Sequence, residues 1–141
     1  MTTRHLSIRI DSGTFDRLSA ESRRTHRSKS ELAKTLLEEG LRMEAHPGIV
    51  FRPGPAGRRA GLAAGPDVWE LVGALRGATD SGDALIKRIA RDLALTPSQV
   101  QDALGYYAEF REEIDRWIEE QDAEAKQAFA AWQREQALIG K

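Results

Sequence analysis

The chain has 141 residues, 40% of them hydrophobic and 30% charged, with a formal net charge of −1. That length suits one ordinary domain or two small modules, and a module of about 60 residues is marginal by itself. The chain contains no cysteine, which excludes a disulfide scaffold, a zinc ribbon and a thiol nucleophile. The opening residues lack the apolar run of a signal peptide, and no stretch approaches the roughly 18 apolar residues of a membrane span. The expectation is a soluble, cytoplasmic protein.

Near-neutrality hides a split. Residues 1–61 carry 12 Lys/Arg against 7 Asp/Glu, a net of +5, whereas residues 62–141 carry 9 against 15, a net of −6. A basic front suits a polyanion, because each cation near a phosphate releases a condensed counterion. The acidic rear suits solvent or a basic protein.

The elements follow in order. Leu6, Ile8 and Ile10 alternate with His5, Ser7 and Arg9 over residues 4–10, the period of a half-buried strand. Asp11 offers an N-cap to a helix that presents Phe15, Leu18 and Ser22 on one face up to about Thr25. A second helix begins at Ser28, which has capping-box spacing to Glu31, and carries Leu32, Ala33, Leu36, Leu37 and Leu41. It ends before His46-Pro47-Gly48.

A lone strand leaves its backbone edge unsatisfied and recruits another chain. Two copies of residues 4–10 can form an antiparallel ribbon in a two-fold dimer, with a core built from Leu6, Ile8, Ile10, Leu32 and Leu36. The opposite face of that ribbon shows His5, Ser7 and Arg9. Such a ribbon fits the DNA major groove, where Arg9 can fork onto guanine and Ser7 and His5 can donate or accept. Free amides at the second helix's start, with Ser28, Lys29 and Ser30, form an anion site suited to a phosphate. A solvated strand face and a plain capping box are the ordinary readings of these features; the surrounding Arg23, Arg24 and Arg27 favour DNA.

In these residues, from position 4 to position 41, the chain resembles the ribbon-helix-helix regulators of the CopG/MetJ/Arc superfamily. The resemblance implies base reading by His5, Ser7 and Arg9 and a phosphate clamp at Ser28, Lys29 and Ser30. One departure is His26, where the family commonly has a left-handed Gly; His tolerates that region better than β-branched residues do.

Residues 47–66 are rich in Pro and Gly and read as a domain boundary, a linker or a small hairpin around Pro53-Gly54-Pro55 that joins Ile49-Val50-Phe51 to residues 58–62. Helical patterns resume at Asp67 to about Arg76 and at Asp83 to about Leu93. A third begins at Thr96-Pro97-Ser98-Gln99, a capping box with Pro in the first turn. Gly105 is a place where that helix can bend. The tail from Asp122 stays helix-friendly, with Phe129 and Trp132 spaced by three.

Ile89-Ala90-Arg91-Asp92-Leu93, a short turn and Pro97-Ser98-Gln99-Val100 look like a helix-turn-helix. With residues 103–118 they resemble a winged-helix-like, VapB-like antitoxin family encoded beside PIN-type ribonuclease toxins, whose early ribbon corresponds to Gly57-Arg58-Arg59. The second helix exposes Ser98, Gln99, Gln101 and Asp102 without a Lys or Arg, which favours protein packing over DNA. Residues 109–124 hold eight acids against two bases, and Trp117, Phe129 and Trp132 are candidate interface anchors for a basic toxin surface.

The expected fold is mainly α with short β. A ribbon-helix-helix domain spans 1–46, the linker or hairpin 47–66, a helical winged-helix-like domain 67–121, and an amphipathic tail 122–141. The expected role is a dimeric autorepressor and antitoxin that binds operator DNA and a PIN-type ribonuclease toxin, with no cofactor or metal and no membrane contact. The alternatives are a stand-alone repressor with a C-terminal sensor or oligomerisation domain, and an interaction module with no DNA role. An enzyme is not expected, because His5, His26 and His46 are scattered and no metal-binding or phosphate-loop motif appears.

Overall fold

The computed structural model describes residues 2–140. Among them are six helices and one two-stranded sheet: α1 Ser12–Thr25, α2 Lys29–Ala45, β1 Ile49–Arg52, β2 Arg59–Leu62, α3 Val68–Arg76, α4 Gly82–Asp92, α5 Pro97–Glu109 and α6 Arg111–Ile139. None of these helices is long and apolar enough to cross a membrane. The chain divides into two compact units, one ending at Arg42 and the other starting at Met43.

In the first unit, residues 2–10 are irregular, and no ladder among the described residues pairs them. Asp11 caps α1 as expected, accepting from the Thr14 N–H at 3.2 Å and the Thr14 hydroxyl at 2.6 Å. These two bonds, the hydroxyl first, hold the Asp11 carboxyl below its ordinary range. The helix ends at His26, which adopts φ 55° and ψ 36°, the left-handed conformation. The Arg27 N–H closes this turn on the Ser22 carbonyl at 3.2 Å, so His26 does the work usually given to glycine.

The second unit begins within the last turn of α2, ahead of the Pro/Gly-rich stretch. That stretch is folded into the unit. β1 and β2 pair antiparallel in the register Ile49↔Leu62 to Arg52↔Arg59, and Ile49, Ala60 and Leu62 join the core. Residues 47–66 are thus a structural part of this unit, because their inward apolar side chains are buried by α3 and α5. Val68, Leu71 and Val72 of α3, Ile89 of α4, and Val100 and Tyr106 of α5 complete most of the core with Ile114 of α6.

Asp67 precedes α3, yet its side chain does not cap that helix. It is buried and turns to the hairpin, accepting from Arg52 Nη1 at 2.9 Å and from Arg59 Nε. Arg52 also donates to the Leu62 carbonyl and, at 3.0 Å, to the Gly65 carbonyl. The pairing satisfies a buried carboxylate and ties the loop end of the hairpin to the start of α3.

The α4–α5 turn is another left-handed corner. Ala94 has φ 55°, and the Leu95 N–H returns to the Ala90 carbonyl at 2.7 Å. Thr96 and Gln99 then form both halves of the capping box, at 2.8 and 3.1 Å. α5 runs through Gly105 without interruption and stops at Phe110, whose φ of −116° and ψ of 43° break the helical path. The buried Tyr106 hydroxyl donates to Glu113 across this break at 2.8 Å. α6 has 29 residues, about 43 Å at the helical rise, and includes the tail from Asp122 without a break.

Candidate functional site

Three places hold the residues singled out above. The first is the N-terminal segment. His5, Ser7 and Arg9 are exposed, and so are their apolar neighbours Leu6, Ile8 and Ile10, at 66%, 70% and 43%. Leu36 is also open, at 42%, whereas Leu32 is already buried. Phe15, Leu37 and Leu41 add further exposed apolar surface to the same unit. Apolar groups are thus uncovered on a segment that makes no sheet by itself, which costs hydrophobic free energy of roughly 1.5–3 kcal/mol per large side chain left in water.

The second place is the start of α2. Ser28 Oγ accepts from the Glu31 N–H at 3.1 Å, and the Leu32 N–H meets the Ser28 carbonyl at 2.9 Å. Ser28, Lys29 and Ser30 are exposed. The amides of the first turn have no helical acceptor, so this end carries partial positive charge. The nearby arginines are not equally available. Arg24 is held by Glu21, which raises its already high pKa, and Arg27 donates to Thr35 Oγ1 at 2.8 Å. Arg23 is exposed and has no ion-pair partner among the described residues. Lys29 Nζ lies 5.2 Å from the Phe15 ring centroid.

The third place is α6. Ile114 and Ile118 are buried on the helix face that carries Ala125, Phe129 and Trp132 further along, at steps of seven, four and three. The stripe therefore continues beyond the core. Phe129 and Trp132 are 58% and 52% exposed and stack on one another, with centroids 5.8 Å apart and planes inclined by 22°.

Trp117 behaves differently: it is half-buried and lines an open cleft of about 390 Å³. Trp69, Arg59, Asp67, Glu70 and Glu124 line the same cleft. The Trp69 indole N–H is buried and finds no acceptor among the described residues. Trp69, Glu70 and Glu124 were not singled out from the sequence. No local motif joins them to Trp117, and only the packing of α6 on α3 brings them together.

The helix-turn-helix pattern corresponds to α4 and α5, with Ile89 and Val100 buried and Leu93 and Leu104 packed against the core. Ser98, Gln101 and Asp102 are exposed, whereas Gln99 is half-buried and held in the capping box. The hairpin precedes α3 in the chain. No protein-family model, curated protein or solved structure matches the chain.

Proposed function

We propose that the protein is a dimeric DNA-binding autorepressor and the antitoxin of a toxin–antitoxin pair. Its first unit pairs residues 4–10 with those of a second copy in a ribbon-helix-helix dimer. His5, Ser7 and Arg9 then read bases in the major groove, and Ser28, Lys29 and Ser30 hold a backbone phosphate on either side. Its second unit masks a PIN-type ribonuclease through Trp117, Phe129 and Trp132.

One observation carries the DNA half of this reading. Leu6, Ile8 and Ile10 alternate on a segment that has no partner strand among the described residues of its own chain and leaves them uncovered. A second copy supplies both the missing ladder and the missing cover. The left-handed turn at His26 and the Ser28 cap support the reading further, since both fall where the family resemblance requires them. The stacked, exposed Phe129 and Trp132 support a protein partner for α6, because large aromatics are the usual anchors of such interfaces.

Two measurements test the two halves separately. The purified chain is titrated onto duplex DNA taken from upstream of its own gene, against an unrelated duplex of equal length. Preferential binding as a dimer is expected; equal affinity for both duplexes rejects operator recognition. The chain is also co-expressed with the product of the adjoining gene. A stable complex with loss of that product's ribonuclease activity is expected, and separate elution rejects the toxin half while leaving a stand-alone repressor.

A further inference from the structure

The cleft between α3 and α6 has a charge balance that specifies a ligand. Among its lining residues, Arg59 is consumed by Asp67, whose carboxylate also receives Arg52. Glu70 and Glu124 remain at the rim, exposed and without an ion-pair partner among the described residues. Two indoles, Trp69 and Trp117, supply the apolar walls, and both are half-buried. The turn at residues 55–57 closes one side, where a Cβ on Gly57 would lie 4.0 Å from the Trp117 ring.

Arg52, Arg59, Asp67, Glu70 and Glu124 together carry a net charge of −1, and this with two aromatic walls favours an organic cation over a neutral or anionic group. We propose that this cleft binds the side chain of an arginine presented by a partner polypeptide. The guanidinium is planar and weakly hydrated, so it stacks on indole while its edge takes carboxylates in a fork. A lysine ammonium keeps its water more strongly and gains less from two flat walls. The volume of about 390 Å³ exceeds one side chain and admits the flanking main chain. This assignment gives Trp117 a ligand chemistry that holds whether or not the partner is a toxin.

The three tryptophans make the test internally controlled, because Trp132 lies outside the cleft. The indole N–H signals of the full chain are followed by NMR during titration with N-acetyl-arginine amide, N-acetyl-citrulline amide and methylguanidinium. Saturable shifts of Trp69 and Trp117, with Trp132 unmoved, are expected for the arginine amide in the millimolar range. The citrulline compound should bind at least fivefold more weakly. The double variant Glu70→Gln, Glu124→Gln changes only exposed carboxylates and should weaken arginine amide binding about tenfold, with an otherwise unchanged spectrum. Equal response to citrulline, or unchanged binding by the double variant, overturns the proposal. Tighter binding of methylguanidinium than of the arginine amide overturns the polypeptide source and assigns a free small cation. A negative result for the adjoining gene product leaves this outcome untouched, so the two claims fail separately.

Discussion

Asp67 Oδ1 receives Arg52 Nη1 at 2.9 Å across fifteen residues of chain, and the carboxylate is 6% exposed. The contact joins the hairpin to α3 and leaves the α3 amides without a side-chain cap. Asp67→Ala should therefore destabilise the second unit by about 2 kcal/mol, since two arginines lose a shared buried acceptor. Asp67→Asn, which keeps one acceptor, should cost about half as much. Urea denaturation followed by tryptophan fluorescence measures both, and equal stability of all three proteins would show the clamp to be energetically idle.

Ala94 carries the positive φ of 55° at the corner between α4 and α5, on an exposed site. An L-residue there loses about 1–2 kcal/mol relative to glycine, partly offset by glycine's larger unfolded entropy. Ala94→Gly is expected to stabilise the chain by about 0.5–1 kcal/mol, read as a rise in Tm. A fall in Tm would mean that the turn is not held in this conformation in solution.

The ribbon makes its own prediction. Ile8 is 70% exposed in the single chain, so Ile8→Glu should leave each copy folded by circular dichroism. In the proposed dimer the same change buries a carboxylate, weakening self-association at least tenfold, about 1.4 kcal/mol. Sedimentation of the wild type and the variant at micromolar concentration decides this. Identical mass distributions would remove residues 4–10 from the interface.

Base and phosphate contacts respond differently to substitution. Arg9→Ala should cost about 1–3 kcal/mol on the preferred duplex and reduce discrimination at one position. Lys29→Ala should instead weaken binding to every sequence and lower the slope of log affinity against log salt by about one. Anisotropy titrations at several salt concentrations separate the two effects, and a uniform loss for Arg9→Ala would reassign it to the backbone.

The Asp11 cap is a pH-dependent contribution to α1. The Thr14 hydroxyl, and then its amide, lower the carboxyl's pKa in the folded chain. The stabilisation is therefore fully present above the ordinary aspartate range and is lost as pH falls through the lowered folded value. NMR titration of the Thr14 amide should show a midpoint below that of an unstructured aspartate. Asp11→Asn should abolish the transition while retaining a cap.

Helix caps were legible, whereas the period-two pattern of residues 4–10, expected as a strand, is irregular in the single chain because no partner strand pairs it among the described residues. Asp11, Ser28 and the Thr96–Gln99 box each start a helix where their spacing requires, because a cap needs only atoms three residues away. The strands Ile49–Arg52 and Arg59–Leu62 flank Pro53-Gly54-Pro55, where turn residues marked a hairpin. Gly105 shows the limit of such reasoning: a weak helix former is carried through a helix whose Ala103 and Tyr106 are buried, and the break comes at Phe110.

What the sequence alone determined, then, was where helices begin, which faces are apolar, and how charge divides between front and rear. Tertiary structure decided how those pieces were used. It sent the Asp67 carboxylate to Arg52 and Arg59 instead of to α3, and drew Ile49, Ala60 and Leu62 of the Pro/Gly-rich stretch into the core of the second unit. It also set Trp69 beside Trp117 in one cleft while leaving Phe129 and Trp132 uncovered on the same helix as Trp117. The reason is range. Caps and periodicities act over three or four residues, whereas burial and ion pairing depend on distances that exist only once the hairpin and helices have packed.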